Sequence, residues 1–138
     1  MRHWSADLIG LPYKPKGRDR DGVDCWGLVR LGFDKGAAIA VPSYDQDYLS
    51  PDEKREIDAI VRREAASPLW QRVDDISTAR EFDVLWFARG RIERHCGIYV
   101  RDARMLHIEE ERSQSRLDDY RDIGLKLTGV YRWHELAR

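Results

Sequence analysis

The chain has 138 residues, of which 42% are hydrophobic, and its 24 basic residues nearly balance its 25 acidic ones. This length predicts a single domain over residues 1–138 with one modest core, and the balanced charge argues against a nucleic-acid partner, which would select a basic excess. No stretch has the roughly 18 apolar residues of a membrane span, and the N-terminus lacks the apolar segment of a secretory signal, so we expect synthesis in the cytoplasm.

The first third of the chain predicts a helix that carries a cysteine at its start. Residues 1–12 indicate a short helix, and residues 13–24 indicate a polar loop with several Gly and Pro residues. Asp24 is placed to cap a mostly apolar helix that begins near Cys25. Gly36 is the expected end of that helix.

The middle of the chain predicts a second helix, and the remainder predicts strands. Residues 37–50 follow no regular pattern, and Pro51-Asp52-Glu53 is a typical helix start. The apolar residues of the second helix recur at helical spacing, at Ile57, Ile60, Val61 and Ala65. Four short segments rich in β-branched and aromatic residues predict strands, at 83–87, 95–100, 104–108 and 128–133. Helices followed by strands favour an α+β domain with an antiparallel sheet.

Cys25 is the leading candidate for a nucleophile. The first N–H groups of a helix are unpaired and carry about half a positive charge, which favours thiolate over thiol. A thiolate still requires a base, and imidazole is the usual one. The simpler interpretation is that Cys25 is a small buried apolar residue. The polar loop before it and the helix after it favour the nucleophile instead.

His95 and His107 are the candidate partners of this thiol. They lie 12 residues apart, a separation that suits adjacent strands of one hairpin. A symmetric two-residue loop at 102–103 would pair Ile98 with His107 and send the two rings to opposite faces. An odd-numbered loop, or one bulged residue, would instead pair Gly97 with His107 and place both rings on one face as diagonal neighbours. The simpler interpretation is that they are two unrelated surface histidines.

Cys96 follows His95 directly, so its side chain is expected on the opposite face of the sheet. If His95 serves Cys25, Cys96 should be buried on the far side and should form no disulfide with Cys25. Two cysteines are too few for a disulfide framework, and the absence of CxxC and HExxH patterns argues against a metal site.

Five short motifs occur in order along the chain. They are Pro12-Tyr13, Asp24-Cys25-Trp26-Gly27-Leu28-Val29, Phe82-Asp83-Val84-Leu85-Trp86-Phe87, His95-Cys96-Gly97-Ile98-Tyr99 and His107. In this order they resemble the NlpC-type cysteine peptidases, which cut bacterial cell-wall peptides. The family pattern has Pro-Tyr, Asp-Cys-Ser-Gly-Leu-Val, Gly-Asp-Leu-Val-Phe-Phe, His-Val-Gly-Ile-Tyr and a second histidine at the same interval. Each motif alone is weak, but five in register are specific.

The resemblance implies a papain-like α+β fold of the NlpC type, in which N-terminal helices include a nucleophile helix packed on a central antiparallel sheet. It implies hydrolysis of the bond between D-glutamate, through its γ-carboxyl, and a diamino acid of the stem peptide. Cys25 would be the nucleophile, His95 the general base and His107 the group that orients His95. Tyr13 matches a family tyrosine near the nucleophile, and with the Cys25 backbone N–H it would hold the oxyanion. No metal or cofactor is implied.

Asp24 and Trp26 flank the candidate nucleophile and are expected to bind substrate. In the family, an Asp and a Ser around the cysteine recognise the free amino end of the substrate. Asp24 is kept, but Trp26 has no hydroxyl, which argues against a preference for a free N-terminal L-alanine. Because the stem peptide carries several carboxylates, Arg91, Arg94 and Arg112 are candidates to bind them.

A narrower resemblance is to the versions in tails of bacteriophages and phage-like gene transfer agents, in which Cys-Trp-Gly-Leu-Val-Arg replaces the common pattern. Here this segment is Cys25-Trp26-Gly27-Leu28-Val29-Arg30. The resemblance implies a tail component that acts at the cell wall, with other tail or baseplate proteins as partners. Two alternatives remain: a structural tail component with little activity, and a Cys-His amidase or acyltransferase with another substrate.

Overall fold

The computed structural model describes residues 2–48, 54–109 and 113–137. Its helices are α1 (Cys25–Ala37) and α2 (Lys54–Ala65), and its strands are β1 (Arg18–Asp19), β2 (Gly22–Val23), β3 (Trp70–Arg72), β4 (Val84–Arg89), β5 (Ile92–Arg101), β6 (Arg104–His107), β7 (Arg116–Asp119) and β8 (Lys126–Trp133). β1 and β2 form a small hairpin, and the other strands form one antiparallel sheet in the order β3-β8-β4-β5-β6-β7. The predicted α+β class is confirmed.

The two faces of the sheet have separate cores. Both helices pack on β5, and the main core joins α1 to the β5 and β6 residues Cys96, Ile98 and Leu106. The opposite face carries a second cluster, made of Leu85, Phe87, Met105 and Val130. Because side chains alternate along a strand, each residue of β5 belongs to one face or the other. The sheet therefore separates the helix-covered side from the second cluster.

Close packing explains the glycines of α1. A Cβ on Gly32 would lie 3.0 Å from Ile98 Cδ1, so glycine at this position allows the helix to approach the sheet. The helix does not end at Gly36 as expected, because Ala38 takes the left-handed conformation at φ 55° and its N–H bonds back to the last turn. Gly36 lies inside the helix, where a Cβ would meet the Phe82 ring at 2.6 Å. Its role is therefore close contact with a neighbouring ring.

The second helix follows its predicted spacing. α2 buries Ile57 and Val61, which form a cluster with Tyr48 and pack against Trp86 of β4. The predicted start at 51–53 lies outside the described residues. No helix among the described residues combines the length and the hydrophobicity that crossing a membrane requires.

Other predicted segments differ in detail from the structure. The predicted helix over 1–12 is a short 3-10 helix, Trp4–Leu8, and the chain turns soon afterwards at Gly10, whose φ is 89°. The predicted polar loop over 13–24 contains the β1–β2 hairpin. The two strands at the sheet edges, β3 and β7, were not predicted, since each is short and carries few apolar residues.

The β5–β6 hairpin has the register that the two histidines require. Asp102 and Ala103 form a two-residue turn with φ of 51° and 65°. The register shifts between Tyr99 and Arg101, which inserts one extra residue into β5. As a result Gly97 pairs with His107. The prediction that an odd-numbered loop or one bulged residue brings both histidines to one face is confirmed, and the structure uses the bulge.

Candidate active site

Cys25 is the first residue of α1, and Asp24 caps this helix through a 2.8 Å hydrogen bond from the Gly27 N–H to Oδ1. The Cys25 side chain is a partly exposed free thiol. Its pKa is lowered, chiefly by a hydrogen bond from Cys96 and further by the charge of Lys54, while burial and Asp24 oppose the shift. The helix start that the sequence predicts is therefore present, and it holds a thiol with enhanced thiolate character.

Cys96 lies against Cys25, which corrects one expectation. The alternation along β5 holds, because Cys96 belongs to the core beneath α1 whereas the His95 ring packs beside Phe87 in the other cluster. However, α1 covers the face of the sheet that carries Cys96. The start of the helix therefore places Cys25 against Cys96, whereas we expected Cys96 on the face away from Cys25. Burial and the contact with Cys25 raise the Cys96 pKa well above its usual range. Cys96 thus stays protonated and donates, and both cysteines are free thiols.

His95 and His107 are brought together as predicted. His95 Nε2 and His107 Nδ1 lie 2.9 Å apart, and both rings are buried. Burial is the main cause that lowers the pKa of both rings, and for His95 the next cause is His107 itself. Both imidazoles are therefore neutral at neutral pH, so one of them donates and the other accepts across this contact.

Asp118 extends the histidine pair, and the sequence reasoning missed it. His107 Nε2 lies 2.8 Å from Asp118 Oδ2. Arg116 Nε donates to the same oxygen at 2.6 Å, and Arg116 Nη2 donates to Glu109 Oε1 at 2.8 Å. Burial acts against ionisation of Asp118, but the hydrogen bonds from His107 and Arg116 outweigh it and lower its pKa. The only sequence signal is the alternation Arg116-x-Asp118, which is weak without knowledge of β7.

The same cluster includes side chains of the type that bind metal ions. His107, Glu109 and Asp118 each present a ligand atom, and these atoms lie within 4.8 Å of one another. However, the Arg116 guanidinium bonds both carboxylates, so a cation of the protein already balances their charge. We therefore assign a hydrogen-bonding role to this cluster.

His95 and Cys25 line different cavities. His95 lies in a polar cavity with Lys54, Arg89, Arg94 and Glu109, whereas Cys25 lines an apolar one. No hydrogen bond joins the two within the described part of the chain. The charge of Lys54 nevertheless lowers the pKa of both groups, so one ammonium lies within electrostatic range of thiol and imidazole.

The three arginines expected to bind substrate carboxylates differ in their position relative to His95. Arg94 lines the polar cavity beside His95. Arg91 is exposed, and its backbone carbonyl accepts a hydrogen bond from Arg62. Arg112 lies outside the described residues. Arg94 and the unforeseen Arg89 are thus the arginines that line the cavity beside the candidate base.

The cavity beside Cys25 is aromatic. Its free space is about 640 Å³, a volume that includes solvent at its open side. Its wall includes Trp26, Tyr44, Tyr48, Ile57, Trp70 and Trp86. Trp26 Nε1 donates to the Pro42 carbonyl at 2.8 Å, and its ring stacks on Trp86 with the centroids 6.2 Å apart. Tyr13 packs at the edge of the main core, as Cys25 does. The sequence pattern did not indicate this cavity, because its wall comes from distant segments.

Asp24 has its hydrogen-bond partners inside the protein. Oδ1 accepts from Arg18 Nη1 and from Gly27 N, both at 2.8 Å. Oδ2 accepts from the Lys16 N–H at 3.2 Å and from the Tyr48 hydroxyl. The side chain is 3% exposed, so the carboxylate expected to bind substrate is enclosed by the loop and helix that it joins.

Comparisons with known proteins agree on the fold. No curated protein gives a significant match. The chain is similar to NlpC1 from Trichomonas vaginalis, with a TM-score of 0.70 and 16% identity over 94% of this chain and 41% of that one. It is also similar to the NlpC/p60 domain of the peptidoglycan hydrolase SagA, with a TM-score of 0.62 and 17% identity over 89% of both chains. The peptidoglycan hydrolase RipB from Mycobacterium tuberculosis gives a TM-score of 0.57 and 22% identity over 94% of this chain and 60% of that one.

At these low identities the structural likeness shows the fold alone, and the family follows from the sequence profile. The chain spans less than half of the Trichomonas protein but nearly the whole SagA domain. The profile described as NlpC/P60 family matches residues 10–126, which include the cysteine at the start of α1 and both hydrogen-bonded histidines. The chain belongs to the NlpC/P60 family.

Proposed function

We propose that this protein is a peptidoglycan hydrolase, a cysteine endopeptidase that cuts the γ-D-glutamyl–diamino acid bond of cell-wall stem peptides. The observation that carries this proposal is the buried His95–His107 hydrogen bond of 2.9 Å, in the same domain as a free thiol of lowered pKa at a capped helix start. Family membership supports the reaction class, and SagA and RipB are both named as peptidoglycan hydrolases.

In the proposed reaction the Cys25 thiolate attacks the scissile carbonyl and forms a thioester. His95 takes the proton that Cys25 loses and gives it to the leaving amine, and then takes a proton from the water that hydrolyses the thioester and returns it to the Cys25 sulfur. The backbone N–H of Cys25, which as the first residue of α1 has no partner within the helix, donates to the oxyanion together with Tyr13. Catalytic hydrogen bonds are often long in free enzymes and tighten when substrate binds. Cys25 lies with Cys96 on the helix-covered side of the sheet, whereas the His95 ring lies beside Phe87 in the other cluster, so the proposed reaction also requires a rearrangement that brings thiol and imidazole together.

The charge around His95 suits an acidic peptide. Lys54, Arg89 and Arg94 border the cavity that His95 lines, and stem peptides carry carboxylates on D-glutamate and on the diamino acid. Conversely, Asp24 already accepts hydrogen bonds from Arg18 and Tyr48. We infer that the substrate does not need a free N-terminal amine to bind at Asp24.

The cellular context in this proposal is a phage or gene-transfer-agent tail, where the enzyme would help the particle cross the cell wall. The support is the segment Cys25-Trp26-Gly27-Leu28-Val29-Arg30, with tryptophan in place of the common serine. The test is whether the protein copurifies with particles and with their tail or baseplate proteins. Absence from purified particles would remove this part of the proposal and leave the hydrolase untouched.

One observation favours a second candidate, a Cys-His amidase or acyltransferase. The cavity beside Cys25 has a wall made mainly of aromatic and aliphatic side chains. A pocket of this kind also suits an acyl chain. Incubation with acyl lipids and with stem peptides separates the two candidates, because only the correct substrate class is turned over.

The test of the main proposal is digestion of purified peptidoglycan followed by mass spectrometry. The wild type is compared with Cys25→Ala and with Cys96→Ala, which removes the buried thiol that donates to Cys25. We expect fragments that end at D-glutamate from the wild type and none from Cys25→Ala. If the wild type releases no fragment, or if Cys25→Ala releases the same fragments, the proposed function is wrong.

A further inference from the structure

Asp118 lies at the end of a chain of hydrogen bonds that starts at His95. β7 is the outer neighbour of β6. Asp118 of β7 pairs with Met105 of β6, two residues before His107, so Asp118 and His107 are diagonal neighbours on one face. Its Oδ2 lies 2.8 Å from His107 Nε2, and His107 Nδ1 lies 2.9 Å from His95 Nε2. The side chains of three adjacent strands are thus connected by two hydrogen bonds, one at each nitrogen of the His107 ring.

The donors and acceptors of this chain follow from the carboxylate. An ionised carboxylate only accepts, so His107 Nε2 carries the proton that it donates to Asp118. A neutral His107 then has an unprotonated Nδ1, which accepts a proton from His95 Nε2. A neutral His95 therefore keeps Nδ1 unprotonated, and this nitrogen is the one available to act as a base. One carboxylate thereby decides the tautomer of both rings.

We propose that Asp118 is a positioning residue that holds His107 and, through it, His95 in the tautomers required for proton transfer at His95 Nδ1. This inference rests on the proposed function for its kinetic consequence, while the tautomers themselves exist whether or not the protein cuts peptidoglycan. Arg116 supports the role, because it donates to the same Oδ2 at 2.6 Å and links it to Glu109. Both contacts keep the carboxylate ionised and aligned with His107.

A purely structural role would be a tie between β7 and β6, and Asp118→Asn separates the two roles. The Asp118 side chain is 36% exposed, so asparagine fits without a buried cavity. An amide can either donate to His107 Nε2 or accept from it, so it no longer selects one tautomer. Asp119→Asn is the matched control, since Asp119 is the next residue in β7 and pairs with Arg121 at the surface.

The first readout is the ¹⁵N NMR signature of the two imidazoles in the full chain. We expect the Nε2-protonated tautomer for both rings in the wild type and in Asp119→Asn, and a mixture in Asp118→Asn. This readout does not depend on hydrolysis, so it still decides the inference if peptidoglycan proves not to be the substrate. Unchanged tautomers in Asp118→Asn would overturn it.

The second readout is turnover of the stem peptide. We expect Asp118→Asn to lower kcat by about 10-fold or more with little change in KM, less than the roughly 10⁴-fold effect of amidating an aspartate bonded directly to a catalytic histidine. Asp118→Glu should recover part of the rate. In a His107→Ala background, Asp118→Asn should cause no further loss. An additive loss in the double variant would show a tie between strands and contradict a role through His107.

Discussion

Replacement of Asp24 by alanine tests whether this carboxylate is part of the fold or a receptor for a substrate amine. The variant leaves the Arg18 guanidinium, whose side chain is 13% exposed, without its ion-pair partner at 2.8 Å. Removal of one member of a buried ion pair costs about 3–5 kcal/mol, and loss of a helix N-cap costs about 1 kcal/mol. Because the same Oδ1 serves both contacts, the two costs overlap. We expect a loss of about 3–5 kcal/mol in the free energy of unfolding.

The assay is urea denaturation of the wild type, Asp24→Ala and the double variant Asp24→Ala/Arg18→Met. The double variant should recover part of the loss, since it removes the unpaired charge as well. Asp19→Ala is the control, because Asp19 is an exposed carboxylate of the neighbouring strand β1. A loss of only about 0.5 kcal/mol in Asp24→Ala, the range of surface substitutions, together with a large rise in KM, would refute the reasoning and restore the role of amine receptor.

Three further predictions concern the histidines and the substrate. His107→Ala should lower kcat/KM roughly 10²–10⁴-fold with the fold retained by circular dichroism, and full turnover would contradict its orienting role. The free energy of unfolding should fall as the pH drops below 6.5, by up to about 1.4 kcal/mol per pH unit for each ring. The reason is that the lowered pKa of His95 and of His107 keeps both rings neutral in the folded protein, while the same histidines take up protons in the unfolded chain. Urea midpoints should show this slope in the wild type and lose it in His95→Asn/His107→Asn, so an equal slope in both would be contrary evidence. Stem peptides with a free and with an acetylated N-terminal L-alanine should be cut at similar rates, and a strict requirement for the free amine would overturn the assignment at Asp24.

Local patterns were sufficient to predict the elements that carry the site. The capping residue Asp24 located the start of α1, and the strand pattern located β5 and β6. The interval between His95 and His107 limited the hairpin to an odd-numbered loop or one bulged residue if both rings were to share a face, and the structure has the bulge. These predictions succeeded since each depends on residues that are close in the sequence or lie in one hairpin.

The contacts that were missed join segments far apart in the chain. Asp118 contacts His107 only because β7 pairs with β6, and β7 is a polar edge strand with no apolar alternation. Cys96 was placed on the wrong side of Cys25 because alternation gives two faces but does not say which face a helix covers. The enclosure of Asp24 depends on Tyr48 and Arg18, which only the folded chain brings together. Each of these depends on tertiary packing.

The most direct measurement is the pH dependence of Cys25 alkylation in the intact protein, followed by mass spectrometry of the two cysteine peptides. If Cys25 is the nucleophile, it should react faster than an ordinary thiol at neutral pH, with a midpoint below the usual thiol pKa of about 8.5. Cys96 should stay unmodified, and Cys96→Val should raise the midpoint, because the hydrogen bond to the thiolate is lost. A Cys25 that reacts no faster than a free thiol, in the wild type as in Cys96→Val, would contradict an activated nucleophile and favour a structural component.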